Sequence, residues 1–147
     1  LAPRSADFVF SSMAIHYVAD FERLVRTVHA ALEPGGGFVF SVEHPIFAAR
    51  AEPGFVTAAD GRRAFSIVDY AREGRRMTDW ITRGIVKYHR RIATMLNTLH
   101  HIGFTYFAMD EWAPSPQELA AHPDWRDELI RPTFLLIAVR KSQANPN

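Results

Sequence analysis

Polar side chains follow two short apolar runs of the sequence, and their types suit chemistry on a small molecule. Ser11 and Ser12 close the first run, and Glu43 and His44 close the second. A carboxylate beside an imidazole can orient an acceptor group or take up its proton near neutral pH. A polar strand end that meets water explains Glu43 and His44 equally well, so both interpretations stay open.

Other side chains could join such a site. His16 can act as a base near neutral pH, although a packing histidine bonded to a loop backbone is the simpler explanation. Tyr17 can line a pocket or fill the core, and Tyr88 and His89 can close a pocket from a later segment. The adjacent histidines at 100–101 lack the i, i+4 spacing of a zinc pair, so we predict no metal site.

The two apolar runs are strands of a predicted βαβ unit. Residues 7–12 read as a buried strand, and Asp20 stands at the N-cap of a helix with one apolar face. The glycines at 35–37 are expected to cap that helix, and residues 38–42 form the second strand. Such units have parallel strands, and their ligand crevice lies at the carboxyl ends of the strands.

The second half of the sequence predicts a long insertion and then a return to regular structure. Residues 46–88 have poor periodicity and at most one short strand, which indicates a lid or binding loop. A helix over 92–102 is closed by Gly103. Strands follow over 104–112 and 134–139, and we expect them to be antiparallel because no convincing crossover helix separates them.

The composition limits the classes of partner. A formal net charge of +1 with scattered arginines argues against nucleic acid, and no apolar run is long enough to span a membrane. There is no cysteine, which excludes a disulfide framework and fits a reducing cytoplasm. We therefore expect a cytoplasmic protein whose main partner is not nucleic acid.

The central block resembles strand 4 through strand 5 of the class I S-adenosylmethionine-dependent methyltransferases. Asp7 opens the first strand, Ile15-His16 follows just beyond it, and Leu-Glu-Pro-Gly-Gly-Gly at 32–37 precedes the second strand. Two further segments look like a bacterial branch that acts on small molecules: Glu43-His44-Pro45 and Lys87-Tyr88-His89-Arg90.

The resemblance implies a fold, a cofactor and a set of roles. The fold is α/β, the C-terminal half (strands 4 to 7) of a Rossmann-like seven-stranded sheet, with an inserted lid at 46–88. The reaction is methyl transfer from S-adenosylmethionine to a small-molecule acceptor. The implied roles are cofactor binding by Ser11, Ser12 and Met13, catalysis by His16, Glu43 and His44, and acceptor binding by Tyr17, Tyr88 and His89.

The resemblance also has a gap. The family's Gly-x-Gly-x-Gly turn and the acidic residue after strand 2 do not occur, and the glycines at 35–37 follow a helix rather than a strand. We therefore expect residues 1–147 to be the C-terminal part of a methyltransferase domain whose cofactor-loop half lies upstream. A nicotinamide oxidoreductase fragment and a non-catalytic binding module remain alternatives, and an open edge of the first strand would allow a homodimer.

Overall fold

The computed structural model describes residues 2–49, 54–79 and 83–143. Its helices are α1 (Phe21–Ala31), α2 (Pro45–Ala48), α3 (Ile92–Ile102) and α4 (Pro116–Ala121), with 3-10 helices at Ile15–Tyr17 and Pro123–Leu129. Its strands are β1 (Ala6–Ser12), β2 (Leu32–Glu43), β3 (Gly54–Thr57), β4 (Arg63–Ser66), β5 (Gly74–Thr78), β6 (Ile85–His89), β7 (Phe104–Asp110) and β8 (Phe134–Lys141).

A mixed four-stranded sheet with the order β1-β2-β8-β7 forms the centre of the molecule. β1 and β2 are parallel, as the βαβ pattern predicts, and β8 is antiparallel to both β2 and β7. The carboxyl ends of β1, β2 and β7 therefore meet at one edge of the sheet, beside the start of β8. We refer to this edge as the carboxyl edge.

Helix α1 begins and packs as its sequence predicts. The Asp20 side chain accepts a hydrogen bond from the Arg23 backbone nitrogen at 2.9 Å, which satisfies one of the free N–H groups of the first turn. The buried stripe along the helix is Phe21, Val25 and Val28. These side chains join the core formed by β2, β8 and α3, whose most buried members include Phe38, Phe40, Leu99, Leu135 and Ile137.

The prediction that the glycine triplet caps α1 is wrong. The residue after the helix is Leu32, whose φ of −77° and ψ of 143° already belong to β2. The register between β1 and β2 jumps from Ala6↔Leu32 to Phe8↔Gly37, so the glycines form an irregularity inside the strand pair. Gly36 lies so close to neighbouring backbone that a Cβ there would approach the Glu33 carbonyl oxygen to 2.9 Å.

The insertion is more regular than its sequence suggests. Instead of one short strand, its described parts hold α2 and two hairpins, β3–β4 and β5–β6; residues 50–53 and 80–82 lie outside the described residues. Arginines at 75 and 76 obscure the alternating pattern of β5 in the sequence. In the structure the Arg76 Nε donates a hydrogen bond to the Ala49 carbonyl oxygen at 2.9 Å, which links β5 to the segment after α2. The insertion therefore presents an ordered hairpin to the carboxyl edge.

The rest of the chain follows the predicted order. α3 ends at Gly103, whose φ of 108° is left-handed, and β7 and β8 are antiparallel. β7 ends at Asp110, two residues earlier than predicted, and β8 continues to Lys141. No helix among the described residues is long and apolar enough to cross a membrane.

Candidate active site

The end of β1 is an open turn at the carboxyl edge. Ser11 and Met13 are half-buried and Ser12 is exposed. Met13 has a φ of 50°, and its nitrogen donates to the Ser41 carbonyl oxygen at 3.0 Å and to the Ser41 hydroxyl at 3.1 Å. β2 thus holds the turn in place through its backbone.

His16 lies just behind this turn and is 5% exposed. Its Nδ1 accepts a hydrogen bond from the Glu43 backbone N–H at 3.4 Å, so the ring proton belongs on Nε2. Burial, followed by the charges of Lys87 and Arg90, lowers the pKa of His16 to about 4. At neutral pH this imidazole is a hydrogen-bond donor rather than a base.

Glu43 connects three elements of the site. Its backbone bonds to His16, and its carboxylate forms an ion pair with the ammonium of Lys87 on β6. The two ion-paired side chains are 6% and 5% exposed. The Glu43 carboxylate is therefore already paired inside the protein.

His44 is held by both ring nitrogens. Nδ1 accepts from the Ile46 backbone N–H at 3.0 Å, which makes His44 the N-cap of α2. Nε2 lies 2.7 Å from Oε1 of Glu111 and is the donor, because Nδ1 already acts as the acceptor. The backbone N–H of His44 donates to the Thr133 carbonyl oxygen at 2.8 Å, so this residue ties β2, α2 and the segments around β7 and β8 together.

The aromatic candidates occupy different places. Tyr17 is 43% exposed, and its ring centroid lies 4.2 Å from that of His16. Tyr88 is half-buried and lines a small cavity of about 20 Å³ next to the carboxyl edge. The cavity is also lined by Ile15, His16, Val42, Glu43, Ala48, Arg90 and Met95.

The structure does not place His89 in that cavity. His89 is 1% exposed, its Nε2 lies 2.8 Å from the Tyr70 carbonyl oxygen, and burial lowers the pKa of its ring. It lines a second pocket of about 310 Å³ between the starts of α1 and α3. Tyr88 and Arg90 line both cavities, and so they separate the two.

Lys87 is the site residue that sequence reasoning left out of the candidate set. One signal could have identified it: Lys87 and Lys141 are the only lysines in a chain whose other long cations are all arginines. Its buried position, opposite Glu43, depends on the hairpin that the sequence did not reveal. Among the described residues, no group of three or more His, Asp or Glu side chains could hold a metal ion.

Comparison with known proteins shows that this chain is similar to methyltransferases in sequence and in fold. A family model described as a methyltransferase domain matches residues 1–40. The crystal structure of an S-adenosylmethionine-dependent methyltransferase from Mesorhizobium loti is 48% identical, with a TM-score of 0.90, over 96% of this chain and 64% of that one.

Two further relatives agree. A Listeria monocytogenes crystal structure of the same class is 32% identical with a TM-score of 0.83, over 96% of this chain and 63% of that one. An uncharacterized protein of Haemophilus influenzae is 34% identical over 141 residues, which are 92% of this chain and 54% of the relative. The chain thus spans between about half and two thirds of the length of these proteins, and over that span it is similar to S-adenosylmethionine-dependent methyltransferases.

Proposed function

We propose that this chain is the acceptor-side part of a longer protein that transfers a methyl group from S-adenosylmethionine to a small molecule. The observation that carries the proposal is the likeness to the Mesorhizobium loti methyltransferase, which extends over 96% of this chain. The part of that relative that this chain does not cover would supply the glycine-rich cofactor loop. The sulfonium of the cofactor supplies an activated methyl group, so the protein has mainly to align the acceptor and exclude water.

The end of β1 is the proposed contribution of this chain to cofactor binding. Ser11, Ser12 and Met13 form a turn that β2 holds through Ser41, and its hydroxyl and backbone groups are open to a ligand. These groups fit the polar methionine end of the cofactor. The remaining contacts would come from the upstream half.

His16 is proposed to orient the acceptor. Its Nε2–H can donate to a polar atom of the substrate, whereas its Nδ1 is occupied by the Glu43 backbone. A proton that the acceptor loses would therefore leave to solvent or to another group rather than to this ring. Tyr88 would form one wall of the acceptor pocket, and Tyr17, whose ring lies against that of His16, would contact the acceptor from the exposed side. Glu43 and His44 would fix the positions of the surrounding strands through their partners, Lys87 and Glu111.

A calorimetric titration of S-adenosylhomocysteine into the full-length protein and, side by side, into residues 1–147 tests this function. We expect the full-length protein to bind and the shorter chain to bind far more weakly, because residues 1–147 contain neither the glycine-rich turn nor the ribose-binding acidic residue of the family. NADH serves as the matched control ligand. Binding of NADH and not of S-adenosylhomocysteine would support the oxidoreductase alternative. Binding of neither ligand would support the non-catalytic module.

A further inference from the structure

We propose that Lys87 is a positioning residue of the acceptor site: its buried ion pair with Glu43 fixes the β5–β6 hairpin against the carboxyl end of β2. This inference rests on the proposed function insofar as it places the acceptor beside Tyr88, where the cavity of about 20 Å³ has room for about one water molecule and has to widen when an acceptor binds. The residue itself would touch neither cofactor nor acceptor. It would act through Tyr88 and His16, which line the cavity.

The burial of the pair is the first argument. The side chains of Lys87 and Glu43 are 5% and 6% exposed and lie 44 positions apart in the sequence. Removing two charges from water is costly, and a well-packed apolar pair of similar volume is often as stable or more stable. A buried pair therefore contributes little net stability, but it strongly disfavours any arrangement that separates the two charges.

The second argument is the register of the hairpin. Lys87 pairs with Arg76 across β5 and β6, and Lys87 and His89 point to the buried side of β6. A slip by one residue would turn Lys87 to the other face and leave the Glu43 carboxylate buried without its partner. The ion pair thus selects the register in which Tyr88 lines the cavity.

The third argument is that Glu43 links this hairpin directly to His16. The same residue pairs with Lys87 through its carboxylate and donates to the His16 Nδ1 through its backbone N–H. Arg90, at the end of β6, donates to the Ala19 carbonyl oxygen at 2.8 Å and so connects the same strand to the segment after His16. A shift of β6 would consequently alter both walls of the cavity.

Hydrogen exchange of the full-length protein tests the inference. In Lys87→Met we expect amide exchange in residues 74–78 and 85–89 to rise by at least about tenfold, while the amides of β1 and of residues 37–40 in the middle of β2 keep their rates. The double variant Glu43→Gln/Lys87→Met leaves no buried charge and should recover most of the protection. The matched control is Glu22→Gln, which breaks an ion pair whose side chains are 64% and 61% exposed and should change nothing.

The location of the change separates positioning from mere stability, because a general loss of stability would raise exchange in the central sheet as well. NMR titration of the His16 ring should also give a higher pKa in Lys87→Met than in the wild type, because a nearby positive charge has been removed. Exchange that is unchanged in the hairpin, or exchange that rises equally in β1 and in residues 37–40, would overturn the proposal. A wild type that fails to bind S-adenosylhomocysteine would refute the proposed function while leaving the exchange result to decide the role of Lys87 in the hairpin.

Discussion

Gly36→Ala is expected to lower the free energy of unfolding by about 3 kcal/mol, a large effect for the addition of one methyl group. A Cβ at this position would lie 2.9 Å from the Glu33 carbonyl oxygen and 3.0 Å from the Asp7 carbonyl oxygen. Both are backbone atoms of the β1–β2 pair, so neither can rotate away as a flexible side chain could. The strand register that delivers Ser11–Met13 to the carboxyl edge would have to shift.

Gly61→Ala is the control for this prediction. Gly61 has a left-handed φ of 82°, but an added Cβ would meet nothing within 4 Å. Gly61→Ala is therefore expected to lower the free energy of unfolding by about 1 kcal/mol, through backbone strain alone. Chemical denaturation of both variants measures the difference, and equal stability of Gly36→Ala and the wild type would show that the tight approach of β1 and β2 is not required.

Acidification is expected to destabilise the protein through His16. The His16 ring has a pKa of about 4 in the folded protein, whereas a free histidine has a pKa of 6.5, so the unfolded chain binds a proton at pH values where the folded protein does not. Between those two pH values stability falls as the pH falls, by up to about 1.4 kcal/mol per pH unit from this residue. Above pH 6.5 the contribution of His16 to the pH dependence disappears.

His16→Gln isolates this contribution. Burial also lowers the pKa values of His29 and His89, so these residues add to the slope in the wild type and in the variant alike. Denaturation at about pH 7 and about pH 5 should show a smaller loss of stability in the variant than in the wild type. Identical slopes would contradict the buried neutral state of His16, and with it the role of a fixed donor.

Local signals account for the elements that the sequence predicted well. The Asp20 cap, the apolar stripe of α1 and the left-handed Gly103 are all determined by residues within one or two helical turns. The parallel pairing of β1 and β2 follows from chain order and the handedness of crossovers. None of these features depends on a distant partner.

The glycine triplet and the insertion were mispredicted for a physical reason. Proline and glycine after a helix usually indicate a cap, yet here the glycines serve a close approach between β1 and β2 that only the tertiary structure defines. The strands of residues 54–89 are four or five residues long, and β4 and β5 also contain arginine, so their alternation is too short to detect from the sequence.

The site shows the same division between local and distant information. The sequence located the ends of β1 and β2, but the partners of Glu43 and His44 are Lys87 and Glu111, which lie far along the chain. Tyr88 and His89 both line the pocket of about 310 Å³, whereas only Tyr88 also lines the smaller cavity beside Glu43. Which of the two cavities lies next to these residues depends on the β5–β6 hairpin, which the sequence did not reveal.

One assay tests the central claim most directly: the full-length protein is incubated with trideuteromethyl S-adenosylmethionine and a small-molecule cell extract, and the products are followed by mass spectrometry. We expect S-adenosylhomocysteine and a deuteromethylated small molecule to form together, and His16→Gln to slow their formation by roughly 10²-fold because the acceptor is misplaced. No S-adenosylhomocysteine above a protein-free control, or label that appears only in macromolecules, would contradict the account.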